Sequence, residues 1–186
     1  MDSRIKAVIF NEEEHTYWYN GKNLKGVTGA IGKLVGKSFP DTDTVRIATL
    51  YGSDVHKEIE NYYNTSSKTL SSEGAKWIVE ELEKFICVPH KIECEVMVSD
   101  FETTASKVDV VLHTKDGAYL FDIKTTSHFD REYCSLQLSC YKRMFEENYG
   151  EKVLGLFVLS TKAKRRFHIL EKEKSKTDKI FAMNRR

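Results

Sequence analysis

Proline and cysteine are scarce in this chain of 186 residues, and each scarcity excludes a class of protein. Only two prolines occur, and no stretch rich in glycine, serine and proline divides the chain, so no flexible linker between domains is expected. The scattered cysteines include no C-x-x-C pair, which indicates free thiols rather than disulfides or zinc ligands. They are Cys87, Cys94, Cys134 and Cys140. We therefore predict one domain over residues 1–186.

Long apolar runs are also missing. No stretch reaches the roughly 20 residues that span a bilayer, and no signal-type apolar core follows the N-terminus. These absences predict an intracellular protein without membrane contact.

An excess of charge of one sign is missing from the chain as a whole, because its net charge is only +1. Residues 161–186 nevertheless hold ten Lys/Arg and three Asp/Glu. A basic segment of this kind is typical of contact with a polyanion. A solvated, frayed terminus is the alternative, and for a tail alone it is the favoured one.

Apolar periodicity and turn signals predict alternating helices and strands. The predicted strands are 5–10, 15–20, 91–98, 106–113, 118–124, 153–160 and 165–171, and the predicted helices are 29–34, 43–63, 71–87 and 130–148. This order favours an α/β or α+β fold, with a central mixed sheet of about four to six strands flanked by helices.

An acidic hairpin that ends at Lys124 is the most informative feature. Its predicted turn is Asp116-Gly117. A two-residue turn there pairs Lys124 with Asp109, whereas a four-residue turn pairs Asp109 with Asp122. Either even-length turn places Asp109, Asp122 and Lys124 on one face, and only an odd-length turn would separate them.

Crowded carboxylates on that face favour a bound cation. Asp109 and Asp122 repel each other in a partly dry site, and a divalent cation removes that repulsion. Oxygen ligands favour Mg²⁺ or Mn²⁺. Lys124 would orient or deprotonate a water, or stabilise charge on a reacting phosphate. An ordinary salt bridge between Lys124 and either aspartate is the alternative.

The hairpin resembles the core motif of the PD-(D/E)xK nuclease superfamily, although Val108 stands where the family has its proline. The amino-acid sequence of this motif is similar to that of the RecB-like branch, which includes CRISPR-associated nucleases and phage recombination exonucleases. The resemblance implies a restriction-endonuclease-like core in which Asp109, Asp122 and the Ile123 carbonyl bind the metal. The residues that carry it are Asp109 and, after twelve intervening residues, Asp122-Ile123-Lys124-Thr125-Thr126. It also places Thr125 and Thr126 near the substrate.

Two flanking motifs extend the resemblance. Gly52 and His56 have the spacing of the G-x-x-x-H helix of RecB-like nucleases, which implies that His56 helps to bind the metal. Gly52 would let DNA or another backbone approach closely. Gln137 and Tyr141 resemble the Q-x-x-x-Y motif of the same branch, which implies contact with DNA or support of the site. Taken singly, each residue is also compatible with a purely structural role.

Two glutamates are supporting candidates. Glu60 lies four residues after His56, so it would orient that histidine or replace it, unless it is a solvated helix charge. Glu95 lies in the strand before Asp109 and would support the metal through water or hydrogen bonds. Glu93 has the same facing as Glu95.

An iron–sulfur cluster is not predicted. Members of the branch that carry one hold it with one cysteine before the core and three after it, and no cysteine follows Cys140. The resemblance therefore implies Mg²⁺ or Mn²⁺ alone, and members of the phage-exonuclease type.

The predicted function is that of a Mg²⁺-dependent deoxyribonuclease, an exonuclease of the phage type acting in recombination or repair. DNA is the predicted partner, and a phage single-strand annealing protein and further copies of the chain are candidate partners. The predicted location is the cytoplasm of a bacterial or phage-infected cell. An inactive nucleic-acid- or partner-binding module on a nuclease fold is the alternative, and action on another phosphate ester, such as RNA, is a third reading.

Overall fold

A small antiparallel sheet opens the fold. The computed structural model describes residues 1–36, 42–65, 68–85 and 91–185. A 3₁₀ helix, Ser3–Ala7, precedes strands β1 (Ile9–Asn11), β2 (Thr16–Tyr19) and β3 (Lys22–Leu24). The prediction of a strand over 5–10 is wrong in its first part, because the Asp2 carboxylate accepts the Arg4 N–H and starts the helix.

Three helices follow, and two of them begin at capping hydroxyls. They are α1 (Val27–Leu34), α2 (Asp43–Asn64) and α3 (Glu73–Phe85). Thr42 accepts the Val45 N–H at 3.3 Å, and Ser72 accepts the Ala75 N–H at 3.1 Å. Residues 86 and 87 of the predicted third helix lie outside the described residues.

A five-stranded mixed sheet forms the centre of the structure. Its elements are β4 (Lys91–Ser99), β5 (Ala105–Thr114), β6 (Gly117–Lys124), β7 (Val153–Ser160) and β8 (Arg165–His168). The order across the sheet is β4-β5-β6-β7-β8, and β6 and β7 are parallel while the other neighbours are antiparallel. Helix α4 (Arg131–Tyr149) connects the two parallel strands.

Helices cover both faces of this sheet. Val55 of α2 and Ile78 of α3 pack with Val110 and Phe121 on one face. Helices α1 and α4 pack on the other, together with α5 (Lys174–Asn184). The structure is thus an α+β arrangement with a five-stranded mixed sheet and five α-helices in the described residues, as the sequence predicts at this coarse level.

The C-terminal segment is folded, so the reading of a frayed terminus is wrong. Ile180 and Phe181 of α5 are buried, and Asn184 donates its side-chain amide to Thr104 Oγ1 at 3.0 Å. Apolar positions spaced along this helix outweigh its surplus of exposed lysines.

Two further predictions concern membranes and thiols. Within the described residues, no helix combines the length and the apolar character that a membrane crossing requires. Cys94, Cys134 and Cys140 carry free thiols, and Cys87 lies outside the described residues.

Candidate metal centre

The β5–β6 hairpin sets the register of the acidic residues. Thr114 pairs with Gly117, so the turn is Lys115-Asp116, and the predicted Asp116-Gly117 turn is wrong by one position. A side chain at Gly117 would meet the Lys152 carbonyl oxygen at 2.4 Å from its Cβ, so this glycine serves as a strand residue in close contact with a neighbouring segment. The turn is still two residues long, and the register extends towards Asp109 opposite Asp122.

Regular strand alternation is interrupted at Asp109. Val108 and Val111 pack in the cluster under α4, whereas Val110 packs in the cluster under α2 and α3. The Asp109 carboxylate accepts the backbone N–H of Ile123 at 2.7 Å, in place of a further ladder bond. This break lets Asp109 lie close to groups from both sides of the sheet.

Asp122 and the half-buried Lys124 form an ion pair beside Asp109. Asp122 is 1% exposed, and Lys124 Nζ lies 3.0 Å from its Oδ1 and 2.9 Å from its Oδ2. Cys134 of α4 donates its thiol to the same carboxylate at 4.0 Å. The predicted salt bridge is therefore present, and it lies within a larger group of ionisable side chains.

His56 reaches this group from α2. Val55 and Ile59 anchor the helix in the core, and they hold the intervening His56 against the sheet edge. Its Nδ1 lies 3.8 Å from Glu95 Oε1 and 3.9 Å from Asp109 Oδ1. One ligand atom from each of His56, Glu95 and Asp109 lies within 4.8 Å of the others.

Glu95 has a strained backbone in the middle of β4. Its φ of 54° lies in the left-handed region, which costs on the order of 1–3 kcal/mol for a residue that is not glycine. Its neighbours, Cys94 and Val96, pair regularly with β5. The distortion directs Glu95 to His56, and Lys107 Nζ lies 3.7 Å from its other oxygen. Glu93, by contrast, contacts His113 at 2.9 Å.

Burial and charge shift the pKa values of the cluster. Burial raises the pKa of Asp109 to about 6, and the like charges of Asp122 and Glu95 add to this rise against the opposing charge of His56. Burial alone would lower the pKa of His56, but Asp109 and Glu95 outweigh it and raise that pKa to about 9. Burial likewise opposes the charge on Lys124, yet Asp122 keeps the pKa of this lysine above its usual value.

The Gln137–Tyr141 pair is buried near Asp109. Gln137 Nε2 donates to Tyr141 Oη at 3.0 Å, and both residues are about 5% exposed or less. Burial raises the pKa of Tyr141, and the nearby Asp109 carboxylate adds to this. Of the two predicted roles, support is the one that this buried pair can perform, since contact with a DNA strand needs exposed atoms.

Other predicted residues occupy the surroundings. A Cβ at Gly52 would lie 3.0 Å from Thr125 Oγ1, so the Thr125 side chain approaches this glycine closely. Thr126 donates its hydroxyl to the His128 carbonyl at 2.8 Å. Glu60 pairs with Lys57 at 3.0 Å, as a helix charge would, and Glu95 is the glutamate that lies beside His56.

Lys107 and Tyr17 join the site without having been predicted. Lys107 Nζ lies over the Phe10 ring at 4.2 Å as well as near Glu95. Burial, with the charges of Glu95 and Asp109, raises the pKa of Tyr17 to about 12. Lys107 lies two positions before Asp109, and this period-two spacing is the sequence feature that could have indicated a place for Lys107 on the same strand face. Tyr17 arrives from the separate small sheet, and nothing in its local sequence indicates that.

A search of protein-family models finds no match to this chain, and a search of curated proteins finds none either. The side-chain arrangement therefore has to carry any functional argument.

Proposed function

We propose that this chain is a divalent-metal-dependent deoxyribonuclease with a PD-(D/E)xK-type centre on a restriction-endonuclease-like core, acting as a phage-type exonuclease. The observation that carries the proposal is the approach of His56, Glu95 and Asp109 to within 4.8 Å of one another, beside the ion pair of buried Asp122 with half-buried Lys124. Three carboxylates and an imidazole share this small region, and Lys124 supplies a fixed cation next to them.

The donor set fits Mg²⁺ or Mn²⁺. Three of its side chains offer carboxylate oxygens, and such oxygens suit these cations better than softer metals. Burial raises the pKa of Asp109, and the like charges of Asp122 and Glu95 add to this rise; a bound cation would relieve both effects. Asp109, Asp122, Glu95 and His56 would hold the ion, with the Ile123 carbonyl as a further ligand. When bound, the metal supplies Lewis acidity and lowers the pKa of a coordinated water.

Lys124 contributes a positive charge that is already oriented. The two short contacts to Asp122 restrict its ammonium group, and little reorganisation is needed when negative charge develops on a phosphate. Removing one such preorganised group costs about 100- to 1,000-fold in rate. Contacts with Lys107 and His56 restrict the Glu95 carboxylate in the same way.

A cleavage assay tests the proposal directly. End-labelled linear DNA and closed circular DNA are incubated with Mg²⁺ and the wild-type protein or Lys124→Ala. We expect digestion of the linear DNA from its ends and a loss of at least about 100-fold in Lys124→Ala. Lys84→Ala, on the exposed side of α3, is the matched lysine control and should cut normally. A folded Lys124→Ala protein that cuts at the wild-type rate would refute this role, and cutting of closed circles would exclude a pure exonuclease.

Calorimetry with Mn²⁺ separates an active centre from an inactive module. The wild-type protein should bind the ion with a millimolar or better dissociation constant, and Asp122→Ala should not. If the wild-type protein binds no Mn²⁺ and cuts no DNA, the proposal of a nuclease fails and an inactive binding module becomes the better description.

A further inference from the structure

A basic turn connects β7 to β8 at the end of the sheet that carries the candidate metal centre. We use the term basic turn for its three exposed cations, Lys162, Lys164 and Arg165. Lys124 pairs with Ser160 in the parallel ladder, and Thr161 donates its backbone N–H to the Lys124 carbonyl at 3.0 Å. The turn therefore begins one residue after the strand position beside Lys124.

Contacts with α2 and α3 fix the turn relative to His56. Lys162 Nζ lies 5.2 Å from the centre of the Tyr51 ring, which belongs to the same helix as His56. A Cβ at Gly74 would lie 3.0 Å from Tyr51 Oη and 3.4 Å from Thr161 Cγ2, so α3, α2 and the turn meet closely. The basic turn is thus built on packed elements that also hold the centre.

Among the cations of the basic turn, Lys164 adds to the lowering of the Glu73 pKa that Lys76 mainly causes. In the part of the chain that the structure describes, no carboxylate forms an ion pair with any of the three. Arg166, the next residue, pairs with Glu81 at 2.8 Å and lies over the Phe85 ring at 4.4 Å. Lys162 and Arg165 lie over the Tyr51 and Phe167 rings, but exposed cations that form no ion pair with a carboxylate remain available to an anionic ligand. Arg166, by contrast, is held by Glu81 and Phe85.

We propose that the basic turn binds backbone phosphates of the nucleic-acid strand next to the phosphodiester that is hydrolysed. This inference rests on the proposed function and specifies where its substrate is held. It narrows the predicted role of the basic segment 161–186, because Lys172, Lys176 and Arg185 of that segment are paired with Glu132 or Glu102. The contacts would be to phosphates alone, so binding would not depend on base sequence.

Fluorescence anisotropy with a labelled DNA duplex in EDTA tests the inference, because binding is then measured without cleavage. The turn variant is Lys162→Gln/Lys164→Gln/Arg165→Gln. The control, Lys172→Gln/Lys176→Gln/Arg185→Gln, removes two lysines and one arginine as well. Each phosphate contact contributes about 0.9 to the slope of log affinity against log salt. Between 50 and 200 mM salt the wild-type protein should therefore lose about 40-fold more affinity than the turn variant, and the control should behave as the wild type does.

The outcomes separate this inference from the proposed function. DNA affinity and salt dependence that are equal in the turn variant and the wild type, or a wild-type protein that does not bind DNA, would overturn the inference. If the turn variant loses affinity while the wild-type protein neither binds Mn²⁺ nor cuts DNA, the basic turn stands as a nucleic-acid site and the nuclease proposal fails. If Mn²⁺ binding and cleavage are normal but the turn variant binds DNA like the wild type, only the inference fails.

Discussion

Replacing Asp109 by asparagine should stabilise the metal-free protein while removing a ligand of the proposed metal site. Its pKa rises from an ordinary 3.8 to about 6 on folding, so the folded state disfavours the ionised carboxylate relative to the unfolded chain. At neutral pH this difference corresponds to about 3 kcal/mol. Asparagine has nearly the same shape, carries no charge, and keeps an oxygen that can accept the Ile123 N–H.

The stabilisation should follow pH in a defined direction. A raised carboxyl pKa means that the wild-type protein loses stability as pH rises from about 4 through 6, and that the loss is complete above that range. The free energy of unfolding of Asp109→Asn should therefore exceed that of the wild type by about 3 kcal/mol at pH 8. The difference should be about half of that at pH 5 and almost nothing below pH 4. Acid protonates the wild-type carboxyl and makes it resemble the amide.

Urea denaturation in EDTA, followed by tryptophan fluorescence at several pH values, measures these differences. Asp116→Asn, in the exposed hairpin turn, is the matched control and should show no such dependence. In the same assay without EDTA, Mg²⁺ at ten times its dissociation constant should stabilise the wild type by about 1.4 kcal/mol and leave Asp109→Asn unchanged. The account of a crowded, buried carboxylate would be contradicted if Asp109→Asn were less stable than the wild type at pH 8. It would also be contradicted if the gain in stability were the same at pH 5 and pH 8.

Three further predictions follow from contacts in and around the centre. Glu95→Gln should weaken Mn²⁺ binding in calorimetry by about 10- to 100-fold, and unchanged affinity would remove Glu95 from the centre. Gly52→Ala should gain little stability in urea denaturation, because the added Cβ meets Thr125 Oγ1 at 3.0 Å. In a Thr125→Ala background the same substitution should stabilise the protein by about 1 kcal/mol. Equal gains in both backgrounds would show that the contact with Thr125 costs no stability. Tyr141→Phe should destabilise the protein by about 1–3 kcal/mol, because it leaves the buried Gln137 amide without its partner, and a neutral effect would indicate that solvent reaches the amide.

The acidic hairpin shows how far strand periodicity reaches. Alternation and an even-length turn predicted that Asp109, Asp122 and Lys124 approach one another, and the structure brings them together. The turn itself was misplaced, because the close contact that Gly117 makes comes from a segment some 35 residues later in the chain. Aspartate-glycine is a favourable turn pair locally, and a tertiary contact overrides that preference.

Glu95 marks the limit of prediction from sequence. Its left-handed backbone and its place beside His56 result from the packing of α2 against the edge of the sheet, and glutamate has no local preference for that conformation. Helical spacing made Glu60 a candidate partner for His56, with a solvated helix charge as the alternative. Contacts between a helix and a distant strand cannot be read from local spacing, and they decide which glutamate joins the cluster.

The parallel pairing of β6 with β7 has a consequence for synthesis of the chain. Every proposed metal ligand precedes Thr125, yet β6 gains its second neighbour only after α4 has crossed the sheet and Val153–Ser160 has docked. Until then β6 is an open edge, and the strand that holds Asp122 and Lys124 lacks half of its backbone partners. A nascent chain therefore contains all the chemical groups of the centre well before it can hold them rigidly. If the proposed function is right, cutting activity should appear only once translation has passed β7.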